Sequence, residues 1–510
     1  MKARTGNPSA AALGAGRGPR LHRATVTLAV VSSLSVAFYV ATVARRIGYP
    51  YELQFFEGST VEVSARVTAG LPLYGPPTTD FTPWPYPPLY FVVTGELAKL
   101  TGLSLPTLRV VSFAASLVSL VLLLLIVRRA SGSTVAGIVS AGLFAGTYRV
   151  TDAWFDAARV DSLFLALVLA AVYAGLSART WRGGVGLGLL LGLAFLTKQN
   201  ALVVAAPMLV YLCWRRRPVG AAATAVLASI TVGSLVIGDL LTDGWYSPYV
   251  LWQLLGHGTV LSWLAAFWVV DLVLPFGLIL LALAWWSWSR QQRPRRPVPE
   301  PTAYLLASSV GLVIASLAGR LHDGGYVNVA IPAHAAMALL LGLVTATVVH
   351  HHSTTAATVL GATAVITAQL FVMAAWHPQV VPTEKDRIEG DRFVAAVRTL
   401  PGEVLIPSHP YYLRLADLPT HASAIAIGDL MATRPGRARD AMDAQLPWPL
   451  DGVDAVLLDA PSDANIFGTA LRRDFTLVTD SFIAPGAFRP VTDVATAPSW
   501  LYIRTSELSP

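Results

Sequence analysis

The stretch YELQFFEGSTVEVSARVTAGLPLYGPPTTDFTPWPYPPLY, residues 51–90, is a long polar and proline-rich segment between two apolar runs. It carries Glu57 directly after Phe55 and Phe56. Apolar neighbours raise the pKa of a carboxyl group toward the value that a general base needs. We therefore predict that Glu57 is the reacting carboxylate, and that the rest of the chain builds a frame holding this segment over a substrate.

Other polar residues of the same segment are weaker candidates. Glu52 and Glu62 lie five residues on either side of Glu57, about 140° around a helix, so we expect them to be solvated surface acids. Several prolines stiffen the path around Asp80 and Tyr86. Rigid aromatic rings beside polar groups suit a sugar pocket, although interfacial tyrosine and tryptophan anchors are equally common in membrane proteins.

The composition is that of a membrane protein. Hydrophobic residues make up 54% of the chain and charged residues 13%, whereas soluble domains carry about a quarter charged residues. The net charge of +7 comes from short arginine clusters beside apolar runs, which argues against a nucleic-acid-binding face. The single cysteine, Cys213, excludes an intramolecular disulfide.

The apolar runs predict an α-helical polytopic membrane domain over residues 24–376, after a cytoplasmic basic tail at 1–23. A spanning helix needs about 20 apolar residues. Eleven runs approach this length: 24–44, 105–127, 133–150, 158–178, 183–197, 201–214, 219–241, 264–288, 302–319, 326–348 and 354–376.

The lysine and arginine residues in short loops predict the orientation, because cytoplasmic loops are enriched in them. They place the N-terminus, the Arg290–Arg296 cluster and His350–His352 inside, and the first loop, 45–104, outside. Arg45 and Arg46 are exceptions on the outer side. Residues 88–100 are too short to span and are predicted to form a helix at the outer surface.

Residues 377–510 change character. The runs GEVLIPS, VDAVLLDA, FTLVTDSF and WLYIRT read as strands, and DRFVAAVRTL reads as a helix between them. This alternation predicts a small C-terminal α/β domain, which the span count places outside the membrane.

Lys198 is a candidate cation for a phosphate. Only fifteen residues, 183–197, precede the TKQN motif, and an arm of about 22 Å is shorter than a hydrocarbon core of about 30 Å. We expect the chain to turn below the outer surface, where the backbone must line a wet cavity. A lysine snorkelling from an ordinary helix end is the alternative.

Further outer-side charges accompany Lys198. Asp152, Asp156 and Arg159 would share one face of a helix, away from Asp161, and a structural Asp156–Arg159 pair is the alternative to an active-site role.

Arg320 is a candidate anion contact together with a helix N-terminus at Gly325, or else part of a polar turn. His322 and Asp323 are adjacent but lack the spacing of metal ligands, so we predict no metal site there.

Four motifs in this order resemble the GT-C superfamily of integral-membrane glycosyltransferases: FEGSTVEVSARVTAGLPLY, YPPLY, ARVDSLFLAL and LGLAFLTKQNALVV. The resemblance covers roughly residues 24–376. It is closest to the bacterial branch that is similar to protein mannosyltransferases and aminoarabinose transferases.

The resemblance implies a cell-membrane enzyme that transfers a hexose or pentose from a polyprenyl-phosphate carrier to a glycan, lipid or protein acceptor on the outer face, with inversion. The family's first-loop acid falls on Glu57, its phosphate-contacting lysine on Lys198, and a second outer motif on Arg159 and Asp161; Arg320 is a further phosphate contact. No cofactor beyond the lipid-linked donor is implied. The sugar, the acceptor and any requirement for a divalent metal stay open.

Two other classes of protein remain. A secondary transporter also has many spans, but it tends to show inverted repeats and binding residues at the midplane. A non-catalytic envelope scaffold would use the 377–510 domain to bind a partner.

Overall fold

The computed structural model describes residues 19–288, 297–350, 354–377 and 379–508. The start of the basic N-terminal tail, the cluster at 290–296 and the histidines at 351–352, which served to orient the chain, lie outside these ranges.

Some helices begin and end where the sequence supplies caps. Ser104 accepts a hydrogen bond from the Thr107 amide at the start of α4, and Gly132 adopts a φ of 72° at its end. The helices before the C-terminal domain are α1 (Pro19–Ala44), α2 (Glu57–Thr68), α3 (Leu89–Thr101), α4 (Leu105–Ser131), α5 (Thr134–Gly146), α6 (Asp161–Ser177), α7 (Trp181–Thr197), α8 (Ala201–Arg215), α9 (Arg217–Leu241), α10 (Leu254–Gly256), α11 (Trp263–Ala266), α12 (Leu274–Trp288), α13 (Glu300–Leu321), α14 (Ile331–His350) and α15 (Ala356–Ala375).

Seven helical stretches in the described ranges are long and apolar enough to cross a membrane, and α5, α6, α7 and α8 are shorter apolar helices. Each of the eleven predicted spans overlaps one of these elements. The predicted class, a polytopic helical membrane protein, is confirmed. The predicted surface helix at 88–100 corresponds to α3, which is separate from α4.

Glycines allow α7 to pack closely on α9. A Cβ atom at Gly184 would lie 2.4 Å from the Val219 carbonyl oxygen, and one at Gly188 would lie 2.7 Å from that of Ala223. Small residues at such positions let two helix backbones approach each other in a membrane. The sequence GGVGLGLLLG therefore serves helix packing, and it holds α7 beside α6 and α9.

The C-terminal domain contains a four-stranded sheet in the order β1-β2-β4-β3. β1 (Glu403–Leu405) is parallel to β2 (Val453–Leu458), whereas β4 (Trp500–Arg504) pairs antiparallel with β2 and with β3 (Phe475–Thr479). The four strands are those predicted. The helices are α16 (Glu384–Val397), α17 (Tyr411–Leu415), α18 (Ala424–Met431), α19 (Arg437–Asp443) and α20 (Ala470–Asp474).

Arg46, an exception to the charge rule, has a structural role. Its guanidinium is fully buried and binds both carboxylate oxygens of Asp156 at 2.8 and 3.0 Å. It also donates to the carbonyls of Ala153 and Val380. Arg46 therefore connects the end of α1 to the segment between α5 and α6. Because its position is explained by this packing, it does not indicate which side of the membrane the loop is on.

Candidate active site

A cavity of about 540 Å³ lies where the membrane helices, the first loop and the C-terminal domain meet. The first loop contributes Trp84 and Tyr86, and the C-terminal domain contributes Asp429 from α18. The membrane domain contributes Arg159, Lys198, His257 and His322, among others. Of the eight predicted site residues, the cavity brings four together: Arg159, Lys198, Tyr86 and His322.

Lys198 ends α7 in the predicted turn. Its backbone leaves the helix in an extended conformation, and α8 begins three residues later. The ammonium group lies 2.7 Å from Oδ1 of Asp161, the first residue of α6. Asn328 donates to the same oxygen at 3.3 Å. The ion pair with Asp161 therefore holds the ammonium group of Lys198 at the cavity wall.

Arg159 is the second cation at the cavity. Its guanidinium stands 5.0 to 5.6 Å from the ring centres of Phe56, Trp84, Tyr86 and Trp154. One terminal nitrogen donates to the Tyr86 hydroxyl at 3.1 Å. The buried Nε has no hydrogen-bond partner within the described part of the chain. The aromatic rings orient the cation and leave a donor for a ligand.

The predicted helical face shared by Asp152, Asp156 and Arg159 is wrong. Residues 147–160 form turns and bends, and Asp152 and Ala153 have positive φ angles of 48° and 56°. Asp156 points to Arg46 instead, so the alternative Asp156–Arg159 pair is also wrong.

Glu57 does not line the cavity. It is fully buried, and its carboxylate accepts five hydrogen bonds, two from Arg109 and one each from the amides of Leu53, Gln54 and Ala158. Burial alone favours its neutral form, but Arg109 and the amides outweigh burial and hold the pKa below the usual value. The predicted rise in pKa is wrong, because Phe55 and Phe56 do not determine the surroundings of this carboxylate.

Two further candidates lie apart from the cavity lining. Arg320 binds Asp271 at 2.8 Å, donates to the Gly325 carbonyl and stacks on Trp263, so its charge is already paired. Asp80 is exposed on the first loop. The predicted anion site at Arg320 and Gly325 is thus an internal contact.

Some cavity residues were not predicted as site residues. Gln199 follows Lys198 and donates to the carbonyls of Pro85 and Val250. The buried indole nitrogen of Trp154 has no partner in the residues that the structure describes. Gln199 adjoins Lys198, and Trp154 lies in the segment of Asp152 and Asp156. Both could therefore have been predicted as sequence neighbours of the candidate residues. Asp429 could not be found in this way, because it reaches the cavity only through the fold of the C-terminal domain.

No group of three or more histidine, cysteine, aspartate or glutamate side chains suited to a metal ion occurs in the described ranges. The cavity lining contains two cations, side-chain amides, aromatic rings, histidines and aspartates.

Known proteins resemble this chain in fold and in part of its sequence. The chain is similar in structure to ArnT from Cupriavidus metallidurans in the apo state, with a TM-score of 0.58, 15% identity, and coverage of 94% of this chain and 98% of that one. ArnT bound to undecaprenyl phosphate matches with a TM-score of 0.55 and 14% identity over the same shares.

The sequence gives one further match. Residues 86–238 match the family described as dolichyl-phosphate-mannose-protein mannosyltransferase. This range contains Arg159, Asp161 and Lys198. A comparison with curated protein sequences found no match.

Proposed function

We propose that this protein is a membrane glycosyltransferase that takes a sugar from a polyprenyl-phosphate carrier and transfers it to an acceptor at the outer face of the cytoplasmic membrane. The arginine distribution in the loops supports this side of the membrane. The proposal rests on one observation: the same cavity has two buried cations on one side and apolar side chains on the other.

The polar side of the cavity suits a phosphate. Arg159 and Lys198 are both at least nine-tenths buried, and charged donors in a site of low polarity bind phosphate oxygens strongly. Asp161 keeps Lys198 in place without occupying all of its three N–H bonds. The free Nε of Arg159 is a further donor.

The apolar side suits a lipid chain. Leu251, Leu254 and Leu255 line it from one side, and Leu202 and Val203 from α8 line it from the other. The side chain of Leu255 is largely exposed, so this side of the cavity is open to the surroundings of the protein. ArnT bound to undecaprenyl phosphate has the same fold, which supports a carrier of this class.

The proposed chemistry is a displacement at the anomeric carbon. As the bond to the phosphate oxygen breaks, negative charge grows on the leaving phosphate, and Arg159 and Lys198 stabilise it. The role of Glu57 as the base stays a prediction, and the donor site does not depend on it.

Binding of undecaprenyl phosphate to the full chain in lipid nanodiscs tests the proposal. We expect R159Q to weaken binding by about ten- to a hundredfold, because a hydrogen bond to a charged group contributes about 1.5–3 kcal/mol. The double variant K198M/D161N should do the same without leaving a buried charge unpaired.

The control is K99M, at an exposed lysine on α3, which should bind as the wild type does. Wild-type protein that binds no undecaprenyl phosphate, or an R159Q variant that binds it equally well, would overturn the proposed donor site.

A further inference from the structure

The cavity has a second polar wall that the donor site does not use. It is formed by His257, His322 and Asp429. Residues 258–260 and 321–323 run antiparallel, with the Val260 amide bonded to the Leu321 carbonyl at 2.7 Å and the Asp323 amide to the Gly258 carbonyl at 3.0 Å. This pairing fixes the backbone on which both histidines stand.

His257 is held in its charged form by its contacts. Nδ1 faces the carbonyl of Gln253 at 2.8 Å, and Nε2 faces the carbonyl of Asp429 at 3.0 Å. A carbonyl can only accept, so both ring nitrogens must carry protons. Burial opposes this charge, but the carboxylate of Asp429 at 3.3 Å outweighs it and raises the pKa of His257.

His322 has the opposite character. Its ring centre lies 4.2 Å from that of His257, and burial together with that charged neighbour lowers its pKa. The buried Nε2 of the His322 ring has no hydrogen-bond partner in the described chain. In the neutral ring that carries its proton on Nδ1, the lone pair of Nε2 is free to accept a proton.

We propose that His322 accepts the proton of the acceptor hydroxyl, and that His257 and Asp429 position it for this step. The inference rests on the proposed function. The acceptor oxygen forms a bond to the anomeric carbon, the carbon–oxygen bond to phosphate breaks with its electron pair going to the phosphate, and the hydroxyl proton moves to Nε2.

The other groups around the cavity suit this role less well. Lys198 and Arg159 are paired or cationic, and Asp429 is engaged by His257 and Gln253. Glu57 is enclosed by its five donors. The remaining carboxylate that faces the cavity and His322 is Asp323, which is exposed; it is therefore the competing base in the test.

The test uses the full chain in nanodiscs and the lipid-linked sugar fraction extracted from the native membranes. The readout is the release of free polyprenyl phosphate with membrane acceptor present. We expect H322Q to release it at least about a hundredfold more slowly, as for loss of a general base, with unchanged binding of undecaprenyl phosphate. D323N should keep the wild-type rate, and so should the control H22Q, at an exposed histidine near the start of α1.

A structural role for His322 would not reproduce two further results. Imidazole added to H322A should restore part of the release, because it can take the place of the missing ring. Release by the wild type should fall as the pH drops through a value below the ordinary histidine value of 6.5, because only neutral His322 accepts a proton. D429N should shift this acid limb, since it removes the charge partner of His257.

The outcomes are distinct. H322Q that releases polyprenyl phosphate at the wild-type rate overturns the inference alone, as does a hundredfold loss in D323N without a loss in H322Q. Wild-type protein that neither binds undecaprenyl phosphate nor releases polyprenyl phosphate overturns the proposed function and this inference together.

Discussion

Glu57 and Arg109 form an ion pair with no exposed atoms on either side chain. Arg109 comes from α4, and it also donates to the carbonyls of Tyr49 and Tyr51. Glu57 in turn anchors the amides of Leu53 and Ala158. The pair thus binds α4, the first loop and the α5–α6 connection into one unit next to Arg159.

We predict that E57Q destabilises the protein. The change leaves the Arg109 guanidinium buried without its counter-charge, and breaking a buried pair from one side costs about 3–5 kcal/mol. The apparent melting temperature, followed by tryptophan fluorescence in detergent, should therefore fall by several degrees. The fraction of E57Q that remains folded should bind undecaprenyl phosphate with the affinity of the wild type.

The matched control is E62Q on the same helix. Glu62 also pairs with an arginine, Arg414, but that pair is partly exposed, so a loss of about 0–1 kcal/mol is expected. If E57Q melts like the wild type while its sugar transfer is abolished, Glu57 acts in catalysis and the structural role is refuted.

At the scale of single residues, local patterns predict what depends on neighbours in sequence. Lys198 was found because the length of the helix that precedes it decides where the chain turns. The surroundings of Glu57 could not be found in this way, since Arg109 is 52 residues away and Ala158 is 101 residues away. The adjacent phenylalanines were therefore misleading.

At the scale of elements, the contact between α7 and α9 gives a sharp prediction. G188A should lower the melting temperature, because the new Cβ would lie 2.7 Å from a backbone oxygen of α9, which cannot move without separating the helices. Overpacking of this kind costs about 1–3 kcal/mol.

The control for G188A is G186A, two residues away on the same helix. A Cβ at Gly186 meets no atom within 4 Å, and alanine favours a helix over glycine, so G186A should melt at or slightly above the wild-type temperature. Equal effects of the two changes would show that α7 and α9 do not pack as described.

The elements themselves were well predicted, because apolar length and strand composition are local properties. All eleven apolar runs and all four strands have counterparts in the structure. The segment 147–160 was not well predicted, since its turns depend on bonds to Asp156 and Ala153 from Arg46, which lies just after α1.

At the scale of the whole molecule, the C-terminal domain is bonded directly to the first loop. His409 lies buried between Glu52 of the loop and Asp459 of the domain. Burial opposes its charge, but the two carboxylates outweigh burial and raise its pKa well above the usual value. A charged histidine between two acids thus joins the parts that enclose the cavity.

We predict that H409Q loosens the domain from the loop. It leaves two buried carboxylates without their cation, a loss of about 3–5 kcal/mol by analogy with other buried pairs. Hydrogen exchange should speed up in residues 50–62 and in β2 together.

The control is H421Q, at a buried histidine of the same domain whose pKa is lowered to about 4 by burial. It removes no charge and should leave exchange in 50–62 unchanged. Unchanged exchange there in H409Q as well would contradict the role of His409.

This contact also explains why the cavity could not be predicted as a whole. The sequence placed the domain and the loop on one side, but no pattern in residues 377–510 indicated that Asp429 reaches the wall beside His257. Contacts between distant segments depend on how the membrane domain and the C-terminal domain pack against each other. Neither the composition nor the local sequence pattern predicts that packing.

Asp493 gives the last prediction, which concerns the dependence of this contact on pH. Its carboxylate accepts a hydrogen bond from Gln54 of the first loop at 3.0 Å. Burial, and to a smaller degree Asp152, raise its pKa to about 6, above the value of about 3.9 in an unfolded chain. Such a group contributes stability that is fully present below about pH 4 and is lost as the pH rises through about 6.

D493N keeps the neutral form at every pH, so its melting temperature relative to the wild type should rise between pH 4 and 7. D417N, at an exposed aspartate of the same domain, should show the same difference at each pH, and a flat difference for D493N would mean that this carboxylate is not buried against the loop.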